Sequence, residues 1–229
     1  MKHYKISKGN NEKTGICSLS TLSGYAVEHY AAPRGSDKIA GTCPRSCPLA
    51  GRECYARNLS RYPNVYKVYK DNTLLIKGHA FEQLKNDVLD YVKNNRISAF
   101  RWHDSGDIIS AEHLAVLIDI ANAAPRVSFY TYTHNIKLAN DFIKAGNKLP
   151  DNLIVNISTD ATAWPIWDAI KDKYMSAGFG FFIYNNLPAN VDDITVCPAV
   201  DERGKKTGVK CASCGRCLDD VNVTTVWPH

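Results

Sequence analysis

The sequence predicts an α/β fold, a TIM-like and partial β/α barrel, with a cysteine-rich N-terminal loop and a C-terminal extension. Three observations predict it. After residue 96, short β-branched and aromatic runs alternate with stretches of helix length, the pattern of βαβ units and a parallel sheet. Neither G-x-G-x-x-G nor G-x-x-x-x-G-K-[ST] occurs, so the phosphate loops that would favour the alternative, a doubly wound open sheet, are missing. Polar residues also gather where successive strands end, which is where parallel α/β folds build their sites.

The elements follow in order. Residues 1–42 read as irregular, rich in Gly, Ser and Thr. Residues 64–95 read as helical on the spacing of Val65, Val68, Leu75, Leu84, Val88 and Val92, with Gly78 as a break. Ile97–Trp102 is a strand, ending in His103-Asp104-Ser105-Gly106-Asp107. Ser110 caps a helix that runs to Ala124, where Pro125 stops it. Arg126–Thr133 is a strand running into His134, and Asn135–Ala145 a helix closed by Gly146. Leu153–Ile157 is a strand, with Asn156, Ser158 and Asp160 near its end. Pro165–Met175 is a helix with proline in its first turn. Phe179–Tyr184 is a strand ending at Asn185-Asn186, and Ile194–Val196 a short one running into Cys197. Those are five strands after residue 96, with room for at least one more before it. The whole reads as one domain: an irregular segment over 1–63, β/α repeats over 64–196 and a cysteine-rich extension over 197–229.

With 229 residues and 45% hydrophobic content the chain builds a core without staples, which excludes disorder and a small disulfide scaffold. A net charge of +5 tolerates anionic partners without demanding nucleic acid. No apolar run approaches the ~20 residues of a membrane span, and the polar start lacks a secretory h-region. The expectation is a cytoplasmic protein with no membrane partner.

Cysteine is the informative oddity. Seven of the eight cysteines fall into two groups, and residues 55–196 have none. In a reducing compartment a dense set suggests metal before disulfides. Cys43, Cys47 and Cys54 are spaced C-x3-C-x6-C, with Pro and Gly between. Three soft thiolates in one loop suit an iron–sulfur cluster and leave one position open for substrate or cofactor; zinc, which favours C-x2-C knuckles, is the alternative. Cys197, Cys211, Cys214 and Cys217 are spaced C-x13-C-x2-C-x2-C, enough for a second [4Fe–4S] cluster or for zinc. Cys17 is unassigned, either a further ligand or a buried thiol.

His103, Asp104 and Asp107 follow a strand together. They read as a site beside the open position, His103 as a fourth ligand or proton carrier and Asp107 as acceptor for an ammonium group; the alternative is a helix entry. Arg45, Arg52, Arg57, Arg61, Lys67 and Lys70 surround the first cysteine loop, with Tyr55, Tyr62, Tyr66 and Tyr69 between them. This stripe would balance an anionic cluster or stack single-stranded bases; the alternative is a solvated helix face.

Cys43, Cys47 and Cys54, with Tyr55 after the last, resemble the cluster loop of radical S-adenosylmethionine enzymes, although the final gap here is six residues where the commonest loop of that superfamily has two. That resemblance implies S-adenosylmethionine at the open iron. Ser105, Gly106 and Asp107 would stand for the segment that holds its amino group, and Asn156 and Ser158 for the ribose contact. A resemblance over nearly the whole chain rests on Thr42-Cys43-Pro44, Cys54-Tyr55-Ala56-Arg57, Phe100 to Asp107, Tyr130-Thr131-Tyr132-Thr133 and the closing cysteines. These blocks are similar to the phage gene product 88 family, which implies a viral or prophage origin, a host cytoplasm and a cluster-bearing α/β protein, but supplies no reaction. The expected function is a redox or radical-type iron–sulfur enzyme acting on a small molecule and fed by an electron donor. The alternative is a non-catalytic protein, braced by iron–sulfur or zinc, that binds nucleic acid.

Overall fold

The computed structural model describes residues 2–9, 15–51, 54–184, 194–203, 205–219 and 221–225. The chain is α/β. In order it forms β1 (Cys17–Leu19), a 3-10 helix (Tyr55–Arg61), α1 (Pro63–Lys77), α2 (Phe81–Asn95), β2 (Ala99–Trp102) and α3 (Ala111–Ala123). β3 (Ser128–Thr133), α4 (Ile136–Lys144), β4 (Leu153–Asp160), α5 (Trp164–Asp168), α6 (Lys171–Met175) and β5 (Phe179–Tyr184) follow. The last part holds β6 (Thr195–Val196), α7 (Cys211–Cys214), α8 (Arg216–Asp219) and β7 (Val223–Thr225).

The strands make one seven-stranded sheet in the order β1-β2-β3-β4-β5-β7-β6. Every pairing in it is parallel. Two strands lie where the sequence signals none. β1 is only three residues long, inside the stretch read as irregular. β7 comes from the extension and slots between β5 and β6. Strands this short carry too little alternation to stand out. The predicted helix Pro165–Met175 is two helices: Ile170, at φ −128 and ψ 2, leaves helical geometry between α5 and α6. Trp164, Trp167 and Tyr174 nevertheless all reach Phe181, with ring centroids 5.5–5.9 Å away.

The caps act as the sequence implies. The Ser110 hydroxyl accepts from the His113 amide at 3.2 Å, and the Asn135 side chain from the Leu138 amide at 3.3 Å. Gly78 ends α1, and Arg96 in the left-handed region ends α2.

The register divides the sheet into two faces. Leu19, Phe100, Trp102, Phe129, Val155, Ile157, Phe179 and Phe181 share one. All six helices from α1 to α6 pack residues into the same apolar cluster with them. The other face carries Ser18, Arg101, Tyr130, Tyr132, Asn156 and Ser158. Over it folds the extension: Leu218 of α8 packs with Ile16, Tyr130 and Ile154, and Cys211 and Cys217 lie against that group. Nearly sequential strand order with these helices on a single face is compatible with a barrel-like α/β fold, whereas a doubly wound sheet covers both faces with helices.

Candidate functional site

The first cysteine loop is seated on the C-terminal ends of β1 and β2. Thr42 and Cys43 donate their amides to the carbonyls of Leu22 and Gly24 at 3.0 and 3.3 Å. Gly41 is required there: a Cβ would stand 2.3 Å from the carbonyl oxygens of Leu22 and Ser23. Thr42 joins the loop to β2's exit, for its hydroxyl accepts from the Asp107 amide at 2.9 Å and bonds Thr21 Oγ1 at 2.6 Å. Gly106 lies between these two hydroxyls at φ +92, and a Cβ on it would come within 1.8 Å of Thr21 Oγ1 and 2.4 Å of Thr42 Oγ1. No other residue fits that position.

Main-chain amides lie near all three sulfurs. The Gly24 amide donates to Cys43 Sγ at 3.2 Å. The Leu49 and Ala50 amides lie near enough to Cys47, and those of Ala56 and Arg57 to Cys54, to favour the thiolate, while Ala50 and Arg57 donate to the Cys47 and Cys54 carbonyls at 3.4 and 3.0 Å. The three thiols lie within electrostatic reach of one another, and Cys43 and Cys47 within reach of Asp107. Burial first, then the nearby carboxylate and thiols, pushes Cys43 well above the ordinary thiol range. Burial takes Cys47 to about 11 and also raises Cys54, against the amides that pull both down. This donor set holds thiolates only when a cation offsets their charge, which is the condition a bound metal centre supplies.

Asp107 is firmly tied. Its carboxylate accepts from Thr133 Oγ1 at 2.7 Å, the Ile108 amide at 2.7 Å and the His134 amide at 2.8 Å. Burial raises it to about 6, with those three bonds opposing. It therefore clamps the ends of β2 and β3 beneath the cysteine loop, and most of its acceptor capacity is already used. The Ser105 carbonyl accepts from the Thr21 amide at 3.0 Å, while its buried hydroxyl has no partner.

His103 lies apart from the thiols. Its amide extends the β1–β2 pairing to Leu19 O at 2.8 Å, and its backbone then turns into the left-handed region at φ +56. The imidazole faces Thr131 Oγ1 at 3.5 Å and meets the edge of His113 on α3, ring centroids 5.3 Å apart. Burial lowers it to about 3, so it is neutral. Asn156 is also elsewhere: its side-chain amide donates to the Cys217 carbonyl at 3.2 Å, in the middle of the open face. Ser158 follows one pleat farther along that face. Ser105, Gly106 and Asp107 are thus brought beside Cys43, Cys47 and Cys54, whereas Asn156 joins the second cysteine group.

In that second group Cys197, Cys211, Cys214 and Cys217 line one small cavity together with Lys210 and Arg216. Cys217 is within electrostatic reach of Cys197 and Cys211, packs beside Tyr132 and lies 3.9 Å from Thr224 Oγ1. Among the described residues no three His, Cys, Asp or Glu side chains close around a single metal ion. Cys17 belongs to neither group, since its sulfur faces Tyr91 of α2 at 3.7 Å.

Of the basic stripe, Arg45, Arg57, Arg61 and Lys67 are exposed. Arg61 lies over the Tyr62 ring at 4.9 Å, and Lys70 pairs with Asp37 at 3.0 Å. Arg52, Asn185 and Asn186 lie outside the described residues. What the site expectations passed over is Arg101. It is buried on the open face and paired with Asp104 at 2.8 Å. The signal was present, a charged residue between Phe100 and Trp102 inside a buried strand.

No helix among the described residues is long and apolar enough to cross a membrane. Comparison with curated proteins and with solved structures finds no match. The model of the family described as Gene product 88 matches residues 4–220. That span includes both cysteine groups and every strand of the sheet but β7, and on it the chain belongs to the phage gene product 88 family.

Proposed function

We propose that the chain is an iron–sulfur protein on a partial β/α barrel, with a [4Fe–4S] centre held by Cys43, Cys47 and Cys54 and redox or radical chemistry on a small molecule at its open position. The observation that carries the proposal is the gathering of the three thiols within reach of one another on the strand ends, with main-chain amides near each sulfur. Hydrogen bonds to sulfur stabilise thiolate ligands and tune the potential of a cluster, while neutral thiols are weak acceptors that gain little from them.

The surrounding residues have separable roles. Thr42, Thr21 and Gly106 fix the loop on the strand ends, and Asp107 locks β3 to β2 below it. The unpartnered Ser105 hydroxyl is the group free to hold a ligand at the open position. S-adenosylmethionine would supply a radical on reductive cleavage there. Ser105 and Asp107 would then position its amino group, while Asn156 is committed to Cys217 and takes no part. The second group would hold another cluster, or zinc, and an external electron donor would feed the first. A host cytoplasm suits reduced thiols.

Anaerobic purification with iron, sulfide and zinc counted per chain tests this, followed by EPR with and without S-adenosylmethionine. The expected result is brown protein with about four irons for each occupied cluster, and an EPR signal that changes on adding the cofactor. Colourless protein with zinc alone would sink the proposal. An iron signal indifferent to S-adenosylmethionine, with no 5′-deoxyadenosine after dithionite, would keep the cluster and remove the radical step.

A second reading rests on the exposed cations and on Arg61 stacked over the exposed Tyr62 ring. It is single-stranded nucleic-acid binding, with the metals as braces. It requires affinity that falls steeply with salt, and a binding curve unchanged between low and high salt rejects it.

A further inference from the structure

Arg101 is the only lysine or arginine in the buried interior among the described residues. It extends from β2 onto the open face of the sheet, where the extension covers it. Asp104 balances its charge at 2.8 Å and itself accepts from Ser18 Oγ at 2.9 Å. Three tyrosines enclose the guanidinium. The Tyr55 hydroxyl receives Nη2 at 3.3 Å, and the Tyr132 and Tyr130 rings lie 5.2 and 5.8 Å from Cζ. Its Nε has no partner.

Two of these tyrosines lead to thiols. Tyr55 follows Cys54 directly in the chain. Tyr132 packs against the same apolar cluster as Cys217. A continuous line of contacts therefore runs from the first cysteine group to the second: Cys54, Tyr55, Arg101, Tyr132, Cys217. Asp104 also reaches the first group's side, since its carbonyl accepts from the Tyr55 hydroxyl.

The geometry points to Arg101 as the positioning residue that couples the two cysteine centres electrostatically, with Asp104 setting how much of its charge each centre feels. This rests on the iron–sulfur reading above. An arginine keeps its proton at every relevant pH, so its charge is fixed, and in a low-dielectric interior that charge acts over a longer distance than at the surface. An electron added to either centre, from a one-electron reductant such as dithionite, brings negative charge toward Arg101 and is stabilised by it. No covalent bond forms or breaks in that step: the reductant loses one electron and the centre gains it. A merely structural pair, holding β2's exit to β1 through Ser18, would exert no such effect with a definite sign.

The test is redox titration of the full chain, followed by EPR, for Arg101→Gln, Asp104→Asn and Arg101→Lys, with iron and sulfide counted in each. Arg101→Gln should move the midpoint potentials of both centres more negative, Asp104→Asn should move both more positive, and Arg101→Lys should stay near wild type. If the second group holds zinc, chelator competition replaces the potential there: binding turns neutral thiols into a net-negative thiolate centre, so affinity should fall in Arg101→Gln and rise in Asp104→Asn. Should Arg101→Gln fail to fold, the opposed expectations for Asp104→Asn and Arg101→Lys still decide the matter. Wild-type iron content with unmoved potentials, shifts of the same sign in both charge variants, or a response at one centre only would overturn the coupling and leave the iron–sulfur reading intact. Wild-type protein without iron would overturn that reading itself, and the coupling with it.

Discussion

The two cysteine groups are built differently. In the first, around Cys43, Cys47 and Cys54, a backbone amide contacts the Cys43 sulfur, and the loop is held to the strand ends by main-chain bonds and by two glycines that admit no side chain. In the second, Cys217 packs beside the Tyr132 side chain and faces Thr224, and the four thiols, three of them on two short helices and Cys197 after β6, line a cavity. A site made by backbone resists most side-chain change and fails when the backbone path is blocked. A site made by side chains is adjustable residue by residue. The contrast predicts a rigid first centre and a tunable second one.

The largest expected effect separates the two outright. Cys47→Ser should remove the iron of the first group and leave the metal of the second, and Cys214→Ser should do the reverse, read as metal per chain. Loss of all metal in either variant would mean that the groups are not separate sites.

Gly106→Ala comes next. A Cβ there collides with both threonine hydroxyls in a left-handed backbone, which costs on the order of 3 kcal/mol. Urea unfolding should show that loss, with metal missing from the first group only. Near-native stability would show that the threonines move aside and that the first site is less rigid than its bonds imply.

Acid should act on the first region before the second. His103 and His134, at about 3 and about 4, and His113, well below the usual range, are all held neutral, chiefly by burial. The unfolded chain takes up protons on these rings below their ordinary value of ~6.5, and the folded chain does not. Stability is therefore complete above about pH 6.5 and falls as pH drops toward 4. Urea midpoints across that range measure it. His113→Gln, whose side-chain oxygen can still accept from the Ile109 amide, should reduce the slope by about one proton.

Smaller still are changes at the second group's side-chain contacts. Tyr132→Phe or Thr224→Val should weaken metal retention there about 10-fold, read by chelator competition, without touching the first group. No single side-chain deletion removes the amides of the first group, so it has no equivalent variant.

Much of the fold was legible locally. The alternation after residue 96 marked β2 to β6 and the helices between them, and Ser110 and Asn135 cap where their chemistry says. The closeness of Ser105, Gly106 and Asp107 to the first cysteine loop had a sequence signal, a polar run at a strand end. The place of Asn156 had none. It lies two residues from Ser158 on the same face, yet what it meets is Cys217, contributed by a helix of the extension. His103 likewise reads as a site residue beside Asp104, and the left-handed turn at its backbone directs it under α3 instead.

By itself the sequence determined the element types, the division of the thiols into two groups and the spacing within each, because helix and strand periodicity, caps and loop chemistry act over a few residues. The tertiary structure alone decided which residues share a face, that the extension closes the open side of the sheet, and that Arg101 stands between the two groups. Those outcomes depend on register and docking between distant segments, such as Ser18 and Asp104, 86 residues apart in the chain. Strand register sets the face of every side chain at once, and no local pattern encodes which distant segment will cover it.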